Sequence, residues 1–66
     1  MSRHNLIKVY RERRGLTQMG LADAAGLHWQ TIARMERGEM TPTIPVARQI
    51  ADALHASVDD VWPKEE

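Results

Sequence analysis

Cysteine is absent from the chain, which removes disulfide frameworks, thiolate zinc sites and thiol nucleophiles and leaves packing alone to hold the fold. That usage suits a reducing compartment. Net charge is also lacking: nine Lys+Arg balance nine Asp+Glu, so no uniform field draws the chain to a polyanion or a membrane, and any electrostatic partner has to be read by a local patch. No apolar run approaches the roughly 18 residues of a membrane span, and the hydrophobic stretch of a secretion signal is missing, so a soluble cytoplasmic protein with no membrane partner is expected. No GxxxxGK[ST] or GxGxxG pattern offers a phosphate cradle, and no serine, histidine and carboxylate share an arrangement for nucleophilic catalysis. His4, His28 and His55 are scattered over three segments without an i, i+4 pair. An enzyme, a metal site and a cofactor are not expected.

What remains fits in 66 residues: one small domain, with a core over about residues 5–62 and a tail over 63–66. A domain this small buries only roughly 60% of its unfolded surface, which favours closely packed helices over a β-rich fold. The charge balance conceals an asymmetry. Through Arg37 there are seven basic residues against three acidic ones, and after it two against six. One side could therefore meet phosphate while the other avoids it, although solvated charges can also segregate by chance.

Punctuation divides the chain into five helices. The first starts from Asn5 or Ser2 as cap and runs to about Arg14, with Ile7 and Tyr10 facing inward, and Gly15 stops it. Leu16 precedes Thr17, a good N-cap for a second helix in which Leu21, Ala22 and Ala25 share a face; Gly26 ends it by taking the left-handed conformation. Leu27 plugs the core, His28 stands as a chemically poor cap, and the third helix runs to about Arg37 before Gly38. The Thr41-Pro42 step is incompatible with a continuing helix. Thr43 caps the fourth helix, where Ile44, Ala47, Ile50, Ala51 and Leu54 follow the i, i+3, i+4, i+7 pattern and Pro45 is tolerated in the first turn. Ser57 and Asp60 have capping-box spacing at the head of a short fifth helix, with Val58, Val61 and Trp62 closing the core. Leu6 and Val9 are either surplus apolar surface or lie under the chain ends.

The third helix separates into two arcs at about 100° per residue. With Trp29 at 0°, Ala33 falls near 40°, Arg37 near 80°, Gln30 near 100° and Arg34 near 140°, whereas Ile32 and Met35 lie at roughly 300° and 240°. One arc is core. The other presents an amide, two guanidinium groups, an indole and a small methyl, an inventory suited to a DNA major groove. Gln pairs bidentately with adenine, Arg with guanine, and apolar groups touch the thymine methyl. Ala33 at the centre lets the helix approach the base edges. An ordinary solvated face has a similar composition.

From Gln18 to Met35, Ala22, Gly26, Ile32 and Met35 take the spacings of two helices crossing near a right angle through a short turn. The segment LTQMGLADAAGLHWQTIARMERG, followed by TPTIPVARQIADAL and SVDDVW, closely resembles the Cro/cI-type (XRE) helix-turn-helix family of bacterial and phage regulators over about residues 7–62. The resemblance implies an all-α, five-helix lambda-repressor-like domain. It implies that Thr17 and Gln18, at the head of the second helix, are phosphate contacts, with Gln18 as the anchor, in keeping with the anion affinity of helix N-termini. Trp29, Gln30, Thr31 and Arg34 match base-reading or groove-facing positions, with Ala33 among them. Arg37 ends the recognition helix within reach of a phosphate, and Arg11 and Glu36 match a structural ion pair.

Some positions depart from the family pattern. Gly20 stands where a charged residue is usual, at a helix-propensity cost of about 0.8–1 kcal/mol relative to Ala. Trp29 replaces a polar residue and either packs on a sugar or thymine methyl or serves as a protein contact. His55 stands where Gly is expected after the fourth helix. The loop around Glu39 lacks the cations many relatives direct at phosphates, which implies weaker nonspecific affinity. Two functional classes follow. The first is a regulator, a repressor in its simplest form, acting as a homodimer on a palindromic site in double-stranded DNA with recognition helices about 34 Å apart. The second is a protein-binding module of the same fold, such as an antitoxin that sequesters a toxin. Helices 4 and 5 and the tail are the candidate dimer surface, where Val61 and Trp62 either supply apolar contacts or are used up in the core of the monomer.

Overall fold

A computed structural model describes residues 5–64. Five helices follow one another, with no strand among the described residues: α1 (Ile7–Arg13), α2 (Gln18–Ala25), α3 (Trp29–Glu36), α4 (Ile44–Ala53) and α5 (Val58–Val61). Ser2, one of the two caps expected for the first helix, lies outside the described residues, as do His4 and tail residues Glu65 and Glu66. Asn5 does the work of a start signal from one position further back than a formal cap. Its Oδ1 accepts from the Ile7 N–H at 3.1 Å while its Nδ2 donates to the Met35 carbonyl at 2.8 Å, so the same side chain begins α1 and ties it to α3. The Leu6 N–H donates to the Val61 carbonyl at 2.7 Å and joins the start of α1 to α5.

Local chemistry sets the remaining boundaries. Thr17 Oγ1 accepts from the Gly20 N–H at 2.9 Å, satisfying one of the donors a helix start leaves without a partner. Gly26, at φ +72°, ends α2 in the left-handed region that residues with a Cβ rarely enter. Ser57 and Asp60 complete a reciprocal capping box: Ser57 Oγ accepts from the Asp60 N–H at 3.0 Å, and Asp60 Oδ2 accepts from the Ser57 N–H at 3.1 Å. His55 follows α4 at φ +56°, the conformation for which Gly was expected there.

The core is built by Ile7, Leu21, Ala22, Ala25, Ile32, Met35, Ile50, Ala51, Leu54 and Val61, all buried, with Ala47 also buried. Tyr10, Leu16, Leu27, Val58 and Trp62 are partly buried and pack against it. Two expectations need correction. Ile44 has the helical phase of the inward face but is 71% exposed, because the buried side of α4 begins only at Ala47. Periodicity assigns a face; it does not say how far along the helix a packing partner extends. Val61 is wholly buried within the protomer and is thereby removed from the candidate dimer surface. Leu6 and Val9 are exposed.

Candidate nucleic-acid interface

The bihelical unit is α2, the turn at Gly26–Leu27, and α3. Ala22 and Ala25 keep the buried face of α2 shallow, and Leu21, Ile32 and Met35 fill the space beside it. The Leu27 N–H donates to the Ala22 carbonyl at 2.8 Å across the turn, and the chain re-enters a helix after three residues, Gly26, Leu27 and His28. His28 then caps α3 through its ring, Nδ1 accepting from the Gln30 N–H at 3.3 Å, and lies stacked on Trp29 with ring centroids 6.3 Å apart. An acceptor Nδ1 requires that nitrogen to be unprotonated.

With its apolar arc consumed, α3 presents the other one. Trp29, Gln30 and Arg34 are exposed, Trp29 by 42%, and Arg37 follows at the C-cap. Thr31 is half-buried and Ala33 is buried, yet both line a single open concavity with His28, Trp29, Gln30, Arg34 and Arg37. Ala33 therefore contributes floor and not rim. An indole, an amide and two guanidinium groups stand around a base no larger than a methyl and a hydroxyl, which leaves depth for an object inserted between them.

The other two phosphate candidates lie at the head of α2. The Thr17 hydroxyl accepts as a cap and retains its proton to donate. Gln18 Nε2 donates to Glu36 Oε1 at 3.1 Å, which engages one of its two amide hydrogens and fixes the direction of the other. Glu36 is the hub of this corner. Arg11 Nε donates to Glu36 Oε2 at 2.7 Å and its NH2 donates to Oε1 at 3.3 Å, while the third arm, NH1, donates to the Leu16 carbonyl at 2.9 Å. These bonds bring α1 and the first residue of α2 to the carboxylate on the last residue of α3, and Arg11 ties in the loop before α2 through Leu16. The orientation of α3 is set there by directional bonds in addition to apolar packing.

Arg37 is not open to solvent on all sides. Its Nε donates to Glu39 Oε2 at 2.7 Å and its NH2 to Oε1 at 3.1 Å, with Arg34 Nε 3.9 Å from the same carboxylate. Hydrogen bonding from Arg37 holds the Glu39 carboxyl below its usual range. The shortage of cations in the Glu39 loop is evident from the sequence, whereas this pairing is not. Its signal was an acid two residues past a C-terminal arginine, across a glycine able to reverse the chain. Among the described residues no group of three His, Cys, Asp or Glu side chains could hold a metal, and no helix is long and apolar enough to cross a membrane.

Comparison with known proteins agrees with this architecture. Residues 5–62 match the model of a helix-turn-helix domain family. The chain is 34% identical over 59 residues to YazB, an uncharacterized HTH-type transcriptional regulator of Bacillus subtilis, covering 89% of this chain and 86% of that one. It is 38% identical over 58 residues to an uncharacterized HTH-type transcriptional regulator of Methanothermobacter thermautotrophicus, covering 86% and 84%. Among solved structures, the clp gene regulator ClgR from Corynebacterium glutamicum superposes with a TM-score of 0.77 at 28% identity over 82% of this chain. An HTH_3 family transcriptional regulator from Vibrio cholerae superposes with a TM-score of 0.75 at 35% identity over the same share. This chain spans 57% and 30% of those two solved chains, so the likeness covers only part of each. Taken with the bihelical unit and its exposed polar arc, these matches mean that the chain belongs to the helix-turn-helix family of transcriptional regulators.

Proposed function

We propose that this chain binds double-stranded DNA sequence-specifically, with α3 in the major groove, and acts as a repressor in the form of a homodimer on a palindromic operator. The observation that carries the reading is the division of α3: Ile32 and Met35 are buried, while Trp29, Gln30 and Arg34 are exposed around a concavity floored by Ala33. Gln30 has the donor–acceptor pair for adenine and Arg34 the fork for guanine, and Trp29 offers an apolar edge to a thymine methyl or a sugar. Thr17, Gln18 and Arg37 serve as phosphate anchors that fix register without reading sequence.

Selection of bound fragments from random duplex DNA tests this directly. Enrichment of an inverted repeat with half-sites about one helical turn apart supports the homodimer on a palindrome. Enrichment of a single unrepeated site removes the dimer and keeps the reader. Failure to enrich any sequence overturns the proposal. The second reading, a protein-binding module such as an antitoxin, is favoured by one observation, the 42% exposed Trp29 at the head of α3, since exposed aromatics are recurrent interface anchors. The two readings separate by salt. DNA affinity falls with a log–log slope of about −0.9 per neutralised phosphate, a law that toxin binding does not follow.

A further inference from the structure

Of the three charged side chains gathered at the end of α3, Arg34, Arg37 and Glu39, the proposed function leaves only Glu39 without a part. Gly38, at φ +76°, reverses the chain; its N–H donates to the Met35 carbonyl at 3.0 Å, and the Glu39 N–H returns to the Arg34 carbonyl at 2.9 Å. Glu39 is therefore held by its backbone over the last turn of α3. Its carboxylate takes the Nε and NH2 arms of Arg37 side by side and stands 3.9 Å from Arg34 Nε.

We infer that Glu39 is an internal stand-in for a DNA phosphate, occupying the fork of Arg37 until the duplex displaces it and so setting how tightly the protein holds DNA of any sequence. The inference rests on the DNA-binding reading above. A carboxylate and a phosphate offer a guanidinium the same two-oxygen face, so the two compete for one donor set. The side chains of Arg37 and Glu39 are about half exposed, at 57% and 49%, and exposed pairs of this kind are weak. Displacement by a phosphate is therefore easy. The Glu39 charge does not vanish on displacement: it remains beside the backbone of the duplex and opposes the cation it has released. A residue of this kind costs affinity on every sequence and gives no preference among bases.

The test compares wild type, Glu39→Gln, Arg37→Ala and the double variant in binding a labelled random-sequence duplex across a salt series. Glu39→Gln keeps the shape and backbone bond of the residue and removes its charge. The inference expects roughly three- to tenfold tighter binding for Glu39→Gln at low salt and a salt slope steeper by about 0.9. It expects most of that gain to disappear when Arg37 is alanine. An equal gain with and without Arg37 means that Glu39 acts through net charge alone and overturns the inference. Wild-type binding left unchanged by Glu39→Gln also overturns it, while the DNA-binding reading stands. Absence of wild-type binding at low salt overturns both.

Discussion

Arg11 and Glu36, 25 positions apart, meet at 2.7 Å with only 11% and 9% of their side chains exposed, and the same glutamate receives Gln18 from the head of α2. The pair couples α1 and the head of α2 to the end of α3. Removing either partner leaves a nearly buried charge without its counterpart, which costs more than the pair contributes in place. Arg11→Ala or Glu36→Ala is expected to lower unfolding free energy by about 2–4 kcal/mol in urea titrations. A loss below about 1 kcal/mol in both variants would show that water replaces the missing group.

Arg34→Ala and Gln18→Ala should separate reading from anchoring. Arg34→Ala is expected to reduce discrimination between operator variants by about 1–3 kcal/mol while the melting temperature is unchanged. Gln18→Ala should weaken all sequences about equally, and because Gln18 also donates to Glu36 it should cost about 0.5–1.5 kcal/mol of stability. A Gln18→Ala loss that depends on base sequence contradicts the phosphate assignment.

Gly20 departs from the usual family residue, yet its replacement is not a simple gain. A Cβ there would stand 3.3 Å from Thr17 Oγ1, the oxygen that caps α2, and 3.6 Å from Leu16 Cδ2. Gly20→Ala is expected to stabilise the protein by clearly less than the propensity difference of about 0.8–1 kcal/mol, as read by thermal or urea unfolding. The full gain would mean that the cap moves aside without cost.

His55 holds a left-handed backbone at φ +56° while its Nδ1 accepts from Arg14 NH1 at 2.8 Å on the surface. His55→Gly relieves a conformational cost of about 1–2 kcal/mol, offset in part by the greater freedom of Gly in the unfolded chain. A net stabilisation of up to about 1 kcal/mol is expected, raising the melting temperature by several degrees in a domain of this size. His55→Ala keeps the strain and loses the contact, so it should be the less stable of the two. If both variants melt below the wild type, the Arg14 contact is the dominant effect.

The helices and their ends were largely legible because their signals are local. Thr17, Gly26, Ser57 and Asp60 each act within a few residues of themselves, and the two arcs of α3 follow from its period. Long-range consequences were less accessible. Periodicity places Ile44 on the inward face but does not reveal that α4 leaves it exposed and packs on the core only from Val46 and Ala47 onward. Ala33 shares the arc of the groove-facing groups, yet it is buried where they are exposed, a difference that helical phase does not give. The pairing of Glu39 with Arg37 depended on a chain reversal whose direction no pattern of residue types specifies.

The histidine cap of α3 has a consequence for where the native state breathes. Where Thr17 and Ser57 tie their helices with hydroxyl acceptors at 2.9 and 3.0 Å, His28 spans only two residues through a ring nitrogen at 3.3 Å. The opening turn of α3 is thus fastened less firmly than its far end, which Glu36 and Asn5 secure. Amide hydrogens there should exchange with solvent sooner than those around Ile32, so that Trp29 and Gln30 sit on the part of α3 that opens first.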